Sequence, residues 1–203
     1  YKNYHSFLDV INIRNGGMAI HGGLIGGLVV AYIFTRIKKI NFFEYIDVIM
    51  PGVILAQAIG RWGNFMNHEA YGPVTTRIFL ENLHIPRFII DNMYIEGFYR
   101  QPTFLYESVW SLIGFILLLF LRNKKHLLKK GEVLLVYVMW YSFGRFFIEG
   151  LRTDSLYFLG VIRISQLLSA FLFVGTIILF IWRRKKGNLP DYDRTFGKNQ
   201  MII

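Results

Sequence analysis

Five long apolar runs limit what this chain can fold into. A helix needs about 20 residues to cross the hydrocarbon core of a bilayer, and a spanning segment must satisfy its backbone hydrogen bonds internally. The chain has 203 residues and is 54% hydrophobic, which exceeds the roughly 45–50% of soluble domains. The sequence therefore predicts an all-α integral membrane protein, a polytopic helical bundle with five spans. The runs cover residues 18–37, 46–65, 104–121, 133–148 and 164–182.

Basic residues cluster after the first, third and fifth runs. The clusters are "RIKK" (36–39), "RNKKHLLKK" (122–130) and "RRKK" (183–186), and with residue 198 they hold nine of the ten lysines. With five spans all three clusters fall on one side. Because positive loops stay in the cytoplasm, the C-terminus is predicted to be cytoplasmic and the N-terminal end extracytoplasmic. The formal net charge of +10 is thus assigned to membrane topology, and no nucleic-acid partner is expected.

Three regions share the predicted extracytoplasmic side, namely residues 15–23, 66–103 and 150–163. The second is the longest and mixes Pro and Gly with short β-like runs, "RFIIDNMYIEGFY". It predicts a small extracytoplasmic α/β cap. We expect one transmembrane domain over residues 1–186 and a polar, mobile cytoplasmic tail over residues 187–203.

The first run opens with "HGGLIGG". Its glycines, Gly22, Gly23, Gly26 and Gly27, form two G-x-x-x-G pairs, a spacing that lets a neighbouring helix backbone approach closely. His21 lies beside this surface. A histidine here is either a general base, since its intrinsic pKa is near neutral, or a hydrogen-bonded structural residue.

Polar residues recur on single faces of two other runs. Gln57, Arg61 and Asn64 have helical spacing in the second run, Tyr141, Arg145 and Glu149 in the fourth, and Glu107 opens the third. Exposing these faces to lipid is costly, so they are predicted to point into the bundle. Two interpretations remain open. The residues form structural ion pairs, such as Arg145 with Glu149 or Arg61 with Glu107, or the two arginines grip a phosphate with forked hydrogen bonds.

The sequence lacks the residues or motifs that several kinds of catalysis require. There is no cysteine, no G-x-S-x-G elbow and no H-E-x-x-H pair, and no acidic cluster of the kind that holds magnesium. The histidines, His68 among them, lack metal-ligand spacing. We therefore expect metal-free chemistry and no cofactor.

Four segments resemble the signature segments of the prolipoprotein diacylglyceryl transferase family: "HGGLIGG", "GRWGNFMNHEAYG", "QPTFLYES" and "YSFGRFFIEGLRTDS". The resemblance covers about residues 15–186. It implies an enzyme of the bacterial plasma membrane that moves the diacylglyceryl group of phosphatidylglycerol onto the lipobox cysteine thiol of a prolipoprotein. The products it implies are a thioether and glycerol phosphate, in the first step of lipoprotein maturation. The implied partners are these two substrates and the bilayer.

The resemblance also implies roles for individual residues. His21 matches a histidine that helps to activate the thiol, Arg61 matches the arginine that binds the phosphatidylglycerol headgroup, and Arg145 matches a second arginine near the leaving phosphate. Tyr141 lies one turn before Arg145. The remaining matches are site-shaping positions, Asn64, Glu69 and Gly72, and supporting positions, Gly22, Gly23, Glu107, Glu149 and Arg152.

One departure from the family is the start of the chain. The family has seven spans, two of them before the "HGG" segment, whereas about 17 residues precede the first run here. We therefore expect this chain to lack the start of the whole protein. Rival functions are a lipid or anion transporter that uses the paired arginines as its substrate site, a membrane scaffold, and a metal-dependent phosphatidyltransferase, whose acidic motif is absent.

Overall fold

Helices account for most of this protein. The computed structural model describes residues 20–153, 157–158, 162–187 and 189–192, without the side chains of residues 20, 21, 24, 157, 158 and 162. The helices, in chain order, are α1 Ile20–Ile37, α2 Phe42–Met66, α3 Arg77–Asn82, α4 Arg87–Asn92, α5 Thr103–Asn123, α6 Glu132–Glu149 and α7 Ile164–Lys186. The strands are β1 Val74–Thr75, β2 Tyr94–Ile95, β3 Phe98–Arg100, β4 Tyr157–Phe158 and β5 Ile162–Arg163.

Within the described residues, each predicted span falls in one of the long helices, the first of them from residue 20 onward. Within the described residues, α2, α5 and α7 are long and apolar enough to cross a membrane, and α1 supplies a shorter apolar helix, Ile25–Ile37. Helix α6 carries Glu132, Arg145 and Glu149 within 18 residues, which lowers its apolar character. The mostly helical membrane class is therefore confirmed with three candidate spans, and the count of five stays a prediction.

Helix α2 begins four residues before its predicted run, and α7 ends four residues after its own. Polar groups stabilise both extensions. Helix α2 begins at Phe42 because the Asn41 side chain accepts hydrogen bonds from the backbone nitrogens of Phe43 (3.0 Å) and Glu44 (3.3 Å), a standard N-cap. Helix α7 continues to Lys186 through four basic residues. Cations are favourable at a helix C-terminus.

One end of the bundle gathers the basic clusters, and we call it the basic end. Asp47 of α2 is fully buried and accepts hydrogen bonds from Gly131 N (2.5 Å) and Leu134 N (3.0 Å) at the start of α6. Buried Glu132 accepts two hydrogen bonds from Arg184 of α7, at 2.9 and 2.7 Å. These contacts place the start of α2, the start of α6 and the end of α7 together.

A pair of tryptophans joins α5 to α6 above the apolar core. The rings of Trp110 and Trp140 stack with centroids 4.1 Å apart and planes 9° from parallel. Each indole nitrogen donates to the backbone carbonyl of the other tryptophan, both at 3.0 Å. Gly114 and Gly144 lie beneath the rings: an added Cβ would stand 2.3 Å from Trp140 Nε1 and 2.1 Å from Trp110 Nε1, respectively. The pair therefore needs glycine at both positions.

We expect Gly144→Ala to lower the free energy of unfolding by about 1–3 kcal/mol, the usual cost of overpacking a core, because the new methyl group collides with the Trp110 ring. The control is Gly175→Ala in α7, where an added Cβ meets nothing within 4 Å. This control should be neutral or stabilising, since alanine is the better helix former by about 0.5–1 kcal/mol. Thermal unfolding of both purified variants in detergent checks the expectation, and equal midpoints would contradict it.

Residues 66–103 form two short helices and a three-stranded antiparallel sheet with strand order β1–β3–β2. Within "RFIIDNMYIEGFY" the prediction was wrong for Arg87–Asn92, which is helical. Pro86 precedes this helix, and Ile89 and Ile90 are both buried, so adjacent apolar residues there fill a core instead of alternating across a strand. The rest of the run forms the β2–β3 hairpin, which turns at Glu96 and Gly97 with positive φ of 55° and 83°.

An apolar cluster attaches this region to the ends of α2 and α5. Phe65 and Phe104 stack with centroids 4.6 Å apart. The buried members are Phe65, Leu80, Ile85, Ile89, Ile90, Met93 and Phe104. The sheet region is thus packed directly on the helix ends that carry the polar faces described below.

Residues 189–192, within the predicted tail, contact the rest of the chain. Tyr192 N donates to Leu128 O (2.9 Å) and Lys130 N donates to Pro190 O (3.0 Å). The Asp191 carboxylate contacts Lys129 and His126, which hold its pKa below the usual range. These residues therefore dock on the segment between α5 and α6. Residues 193–203 lie outside the described part of the chain.

Close packing on the α1 glycines is not seen. An added Cβ at Gly22, Gly23, Gly26 or Gly27 would meet no described atom within 4 Å. Helix α1 instead contacts α2 near its C-terminal end, where Tyr32 meets Phe42 with ring centroids 5.9 Å apart. Among the described residues the G-x-x-x-G surface therefore has no close neighbour, and its role in helix packing stays a prediction.

Candidate functional site

The two arginines of the polar faces meet at one carboxylate. Arg61 Nη2 of α2 lies 2.6 Å from Glu107 Oε2, and Arg145 Nη1 of α6 lies 2.8 Å from Glu107 Oε1. The three side chains are 22%, 14% and 8% exposed, respectively. Glu107 of α5 thus holds the two guanidinium groups close together and fixes their orientation.

Neighbouring contacts fix the three helices around this carboxylate. Trp62 Nε1 donates to Ser108 Oγ (3.2 Å), and Ser108 Oγ donates to Ala58 O (2.8 Å), which joins α2 to α5 beside Glu107. On the other side the Trp110–Trp140 pair joins α5 to α6. The position of Glu107 between both arginines is therefore set by packing on either side.

The hydrogen bonds continue in both directions from this centre. Arg145 Nη2 lies 2.5 Å from Glu149 Oε2. Arg61 Nη1 donates to Asn64 Oδ1 at 3.4 Å, and Asn64 Nδ2 donates to Glu69 Oε1 at 2.9 Å. We call these six residues the arginine network: Arg61, Asn64, Glu69, Glu107, Arg145 and Glu149. It brings together six of the twelve site residues that the sequence predicted.

Both ion pairs of the structural interpretation are present. Arg61 pairs with Glu107, and Arg145 pairs with Glu149 as well as with Glu107. Two formal positive charges thus meet two formal negative charges, which weakens the attraction for a phosphate compared with two unpaired arginines. The cavity bounded by Glu107, Tyr141 and Arg145 has a volume of only about 10 Å³. A phosphate group must therefore approach from the open edges of the guanidinium groups.

Other predicted residues lie around the network rather than in it. Tyr141 borders the same narrow cavity as Arg145 and stacks on Tyr137, with ring centroids 6.1 Å apart. Gln57 shares the predicted face with Arg61, but its side chain donates to the Tyr137 hydroxyl at 2.9 Å. Arg152 follows α6, where its backbone nitrogen donates to Glu149 O at 3.2 Å.

Gly72 is a close-approach position in the segment after α2. Its nitrogen donates to Gln101 O at 2.9 Å, and an added Cβ would lie 2.8 Å from Gln101 Cβ and 3.1 Å from Thr103 Cγ2. Glycine therefore lets the segment that carries Glu69 pack against the start of α5.

His21 lies in the first turn of α1, and its side chain is outside the described part of the chain. Gly22 and Gly23 follow it on the same helix without a described neighbour at the Cβ position. Their assigned roles stay predictions. Among the described residues, no group of three or more His, Asp or Glu side chains is arranged to hold a metal ion.

Sequence reasoning missed the tryptophans that position the site. The signal was present, since "WSLIG" and "WYSFG" both place a glycine four residues after a tryptophan, at Trp110–Gly114 and Trp140–Gly144. The repeat of W-x-x-x-G on two adjacent helices predicts a reciprocal ring-on-backbone contact. The second glycine directly precedes Arg145.

The arginine network and the basic end lie at opposite ends of the same helices. Asp47 and Arg61 are both on α2, and their separation of 14 positions corresponds to about 21 Å at 1.5 Å per residue. On α6, Glu132 is at the first position and Glu149 at the last. Charged side chains therefore join α2 to α6 at both ends, through Asp47 at the basic end and through Glu107 of α5 in the arginine network.

Comparison with known proteins gives one consistent family. The sequence model of the family described as prolipoprotein diacylglyceryl transferase matches residues 1–182. Three relatives carry the name phosphatidylglycerol–prolipoprotein diacylglyceryl transferase. The protein of Enterococcus faecalis is 61% identical over 194 residues, which is 96% of this chain and 70% of the relative. That of Listeria welshimeri is 57% identical over 199 residues (98% and 70%), and that of Pediococcus pentosaceus is 55% identical over 194 residues (95% and 69%). With such identity along nearly its whole length, this chain belongs to the prolipoprotein diacylglyceryl transferase family.

Proposed function

We propose that this protein transfers the diacylglyceryl group of phosphatidylglycerol to the lipobox cysteine thiol of prolipoproteins, forming a thioether and releasing glycerol phosphate. The observation that carries the proposal is the convergence of Arg61 and Arg145 on Glu107, in a chain whose relatives are named for this reaction. Two adjacent guanidinium groups suit a phosphodiester that becomes more negative as it leaves.

The proposed setting is the bacterial plasma membrane. Residues 1–186 form the transmembrane catalytic domain with five spans, residues 66–103 form its extracytoplasmic cap, and residues 187–203 form a cytoplasmic tail. The position of the arginine network opposite the basic end supports this orientation, because lysine-rich ends stay in the cytoplasm. The site then faces the leaflet from which both lipid and prolipoprotein approach.

The reaction is an alkyl transfer. The cysteine thiol loses its proton, and the thiolate sulfur attacks the glycerol carbon that carries the phosphate. A sulfur–carbon bond forms as the carbon–oxygen bond breaks, and its electron pair stays on the phosphate oxygen of glycerol phosphate. The site has to stabilise the negative charge that develops on this phosphate oxygen.

Arg61 and Arg145 stabilise that charge on the edges that Glu107 leaves open, and Arg61 is the more exposed of the two. Tyr141, one turn before Arg145, contributes a hydroxyl donor to the same phosphate. Asn64 accepts a hydrogen bond from Arg61 and donates one to Glu69, which lies in the segment that Gly72 lets pack against α5. Glu149, Arg152, Gly22 and Gly23 support the two sides of the site.

His21 is the proposed base for the thiol proton. Replacing it with glutamine keeps the size and polarity of the side chain but removes its basicity, so we expect turnover to fall by about 10²–10⁴-fold, the usual contribution of a general base. Turnover per folded molecule is the measurement, with His84→Gln as the control, since His84 is exposed on the predicted cap. Full turnover of folded His21→Gln would remove the base role.

The function itself is tested with the full-length protein in membranes that contain phosphatidylglycerol and a lipobox peptide. Mass spectrometry should find one diacylglyceryl group added to the peptide cysteine. Well-folded protein that gives no adduct would refute the transferase proposal. Movement of phosphatidylglycerol between leaflets without adduct would favour the transporter alternative instead.

A further inference from the structure

Among the residues that the structure describes, the guanidinium group of Arg100, the last residue of β3, has no hydrogen-bond acceptor. Its side chain is only 16% exposed, and its one ion-pair contact is a 3.6 Å approach to Glu96, a carboxylate that is 71% exposed. That distance is too long for a hydrogen bond. Its Nε is buried without a partner, and its side chain donates no hydrogen bond within the described chain. Buried charged groups are normally paired.

The guanidinium is nevertheless held in a fixed place. It lies over the Tyr71 ring, 5.1 Å from the ring centroid, where the electron-rich face attracts a cation. The contrast with Arg61 and Arg145 is direct, because each of those forms a contact of 2.8 Å or less with a buried carboxylate. Arg100 is therefore a cation placed over an aromatic ring whose side-chain donors find no acceptor within the described ranges.

This cation borders an open cavity of about 480 Å³, which we call the Arg100 cavity. Its walls are His68, Glu69, Ala70, Tyr71, Arg100 and Thr153. The volume lies in the range of small-molecule sites. It is far larger than the spaces of roughly 10 Å³ beside Arg145 and beside Asn64, so it is the roomiest of these three spaces that border the arginine network.

Glu69 connects the cavity to the network. Both Asn64 and Asn67 donate to its Oε1, at 2.9 and 3.4 Å, and no side chain in the described ranges donates to its Oε2. The residues on either side, His68 and Ala70, have positive φ of 51° and 57°. Such conformations are unfavourable for residues other than glycine and concentrate at functional sites.

We propose that the Arg100 cavity binds glycerol phosphate as it leaves the site. The inference rests on the proposed function, which makes glycerol phosphate the leaving group. The free guanidinium donors suit the phosphate oxygens, and the Glu69 carboxylate accepts hydrogen bonds from the glycerol hydroxyls. A pairing of one cation with one carboxylate favours this ligand over a bare anion, because glycerol phosphate carries both an acid group and hydroxyl donors.

The test maps arginine reactivity in the full-length protein. Phenylglyoxal modifies accessible arginines, and peptide mass spectrometry reports the modified fraction of each one. We expect sn-glycerol 1-phosphate to reduce modification of Arg100 at least about tenfold and to leave Arg87 unchanged, since Arg87 is exposed on α4 away from the cavity lining. Inorganic phosphate and glycerol, each alone, should protect less. Absence of protection at Arg100, or equal protection by inorganic phosphate, would overturn the assignment.

A kinetic measurement gives a second readout. Glycerol phosphate added to the peptide-modification assay should inhibit the wild type, and Arg100→Gln should raise the inhibiting concentration about tenfold or more, with Arg100→Lys between them. Unchanged inhibition in folded Arg100→Gln would overturn the cavity assignment while leaving the transferase proposal intact. If the wild type formed no lipid adduct but glycerol phosphate still protected Arg100, the transferase proposal would fail while the glycerol phosphate site would stand.

Discussion

Replacing Arg61 with alanine is expected to lower kcat/KM for lipid transfer by about 10²–10³-fold, the usual effect of removing one preorganised charge from the developing oxyanion. Arg61 is the more exposed of the two bridged arginines, so it is the one that the phosphate would contact first in the proposed reaction. Arg145 still pairs with Glu107 in the variant, which keeps the carboxylate compensated. The measurement is adduct formation per folded molecule across lipid concentrations.

Arg77→Ala is the matched control for Arg61→Ala. Arg77 also forms an arginine–glutamate pair, with Glu81 at 2.8 Å, but both side chains are nearly half exposed. Exposed pairs contribute about 0–1 kcal/mol, so activity should be retained. Arg61→Lys should recover part of the lost rate, because lysine restores charge without the forked geometry. If Arg61→Ala instead lost folded protein while surviving molecules kept full turnover, the arginine would be structural only.

Replacing Glu107 with alanine is expected to lower the free energy of unfolding by about 3–5 kcal/mol, the cost of breaking a buried ion pair from one side. The substitution leaves Arg61 and Arg145 close together without their shared carboxylate. Thermal unfolding in detergent is the measurement. Glu81→Ala, which breaks the exposed Arg77 pair, should change stability by less than about 1 kcal/mol.

A double-mutant cycle separates structure from catalysis at this carboxylate. Suppose that Glu107 stabilises the fold by neutralising Arg61. The double variant Glu107→Ala/Arg61→Ala should then lose less unfolding free energy than the two single variants lose together, by about 0.5–3 kcal/mol. Additive losses would contradict the bridge as a structural element. Activity in the double variant should stay low, because the phosphate contact is also gone.

Hydropathy was sufficient to locate the long helices. Each apolar run became part of one helix, because a spanning backbone has few alternatives. The exact ends depended on caps that a hydropathy window does not contain, such as Asn41 before α2 and the cross-helix cap that Asp47 gives to α6. The family was equally readable, since its signature segments are long and specific.

The pairing within the site was less predictable. Periodicity placed Gln57 and Arg61 on one face, yet Gln57 bonds to Tyr137 and Arg61 to Glu107. A shared helical face fixes the direction in which two side chains point. The hydrogen-bond partner of each side chain depends on which neighbouring helix is nearest at its position along the helix axis. That one glutamate would serve both arginines also required knowledge of three-helix packing. Arg100 had no sequence signal, because its importance comes from the acceptor it lacks.

The reciprocal tryptophan pair fixes the position of α5 along the axis of α6. Each indole nitrogen donates a hydrogen bond to a backbone carbonyl of the opposite helix, so the two bonds hold α5 and α6 in one register. Slippage by a single residue, about 1.5 Å along the axis, would move both donors away from their acceptors together. Glu107 and Arg145 lie within one or two turns of this contact. In the proposed reaction, the tryptophan pair therefore fixes the position of Glu107 on α5 relative to Arg145 on α6.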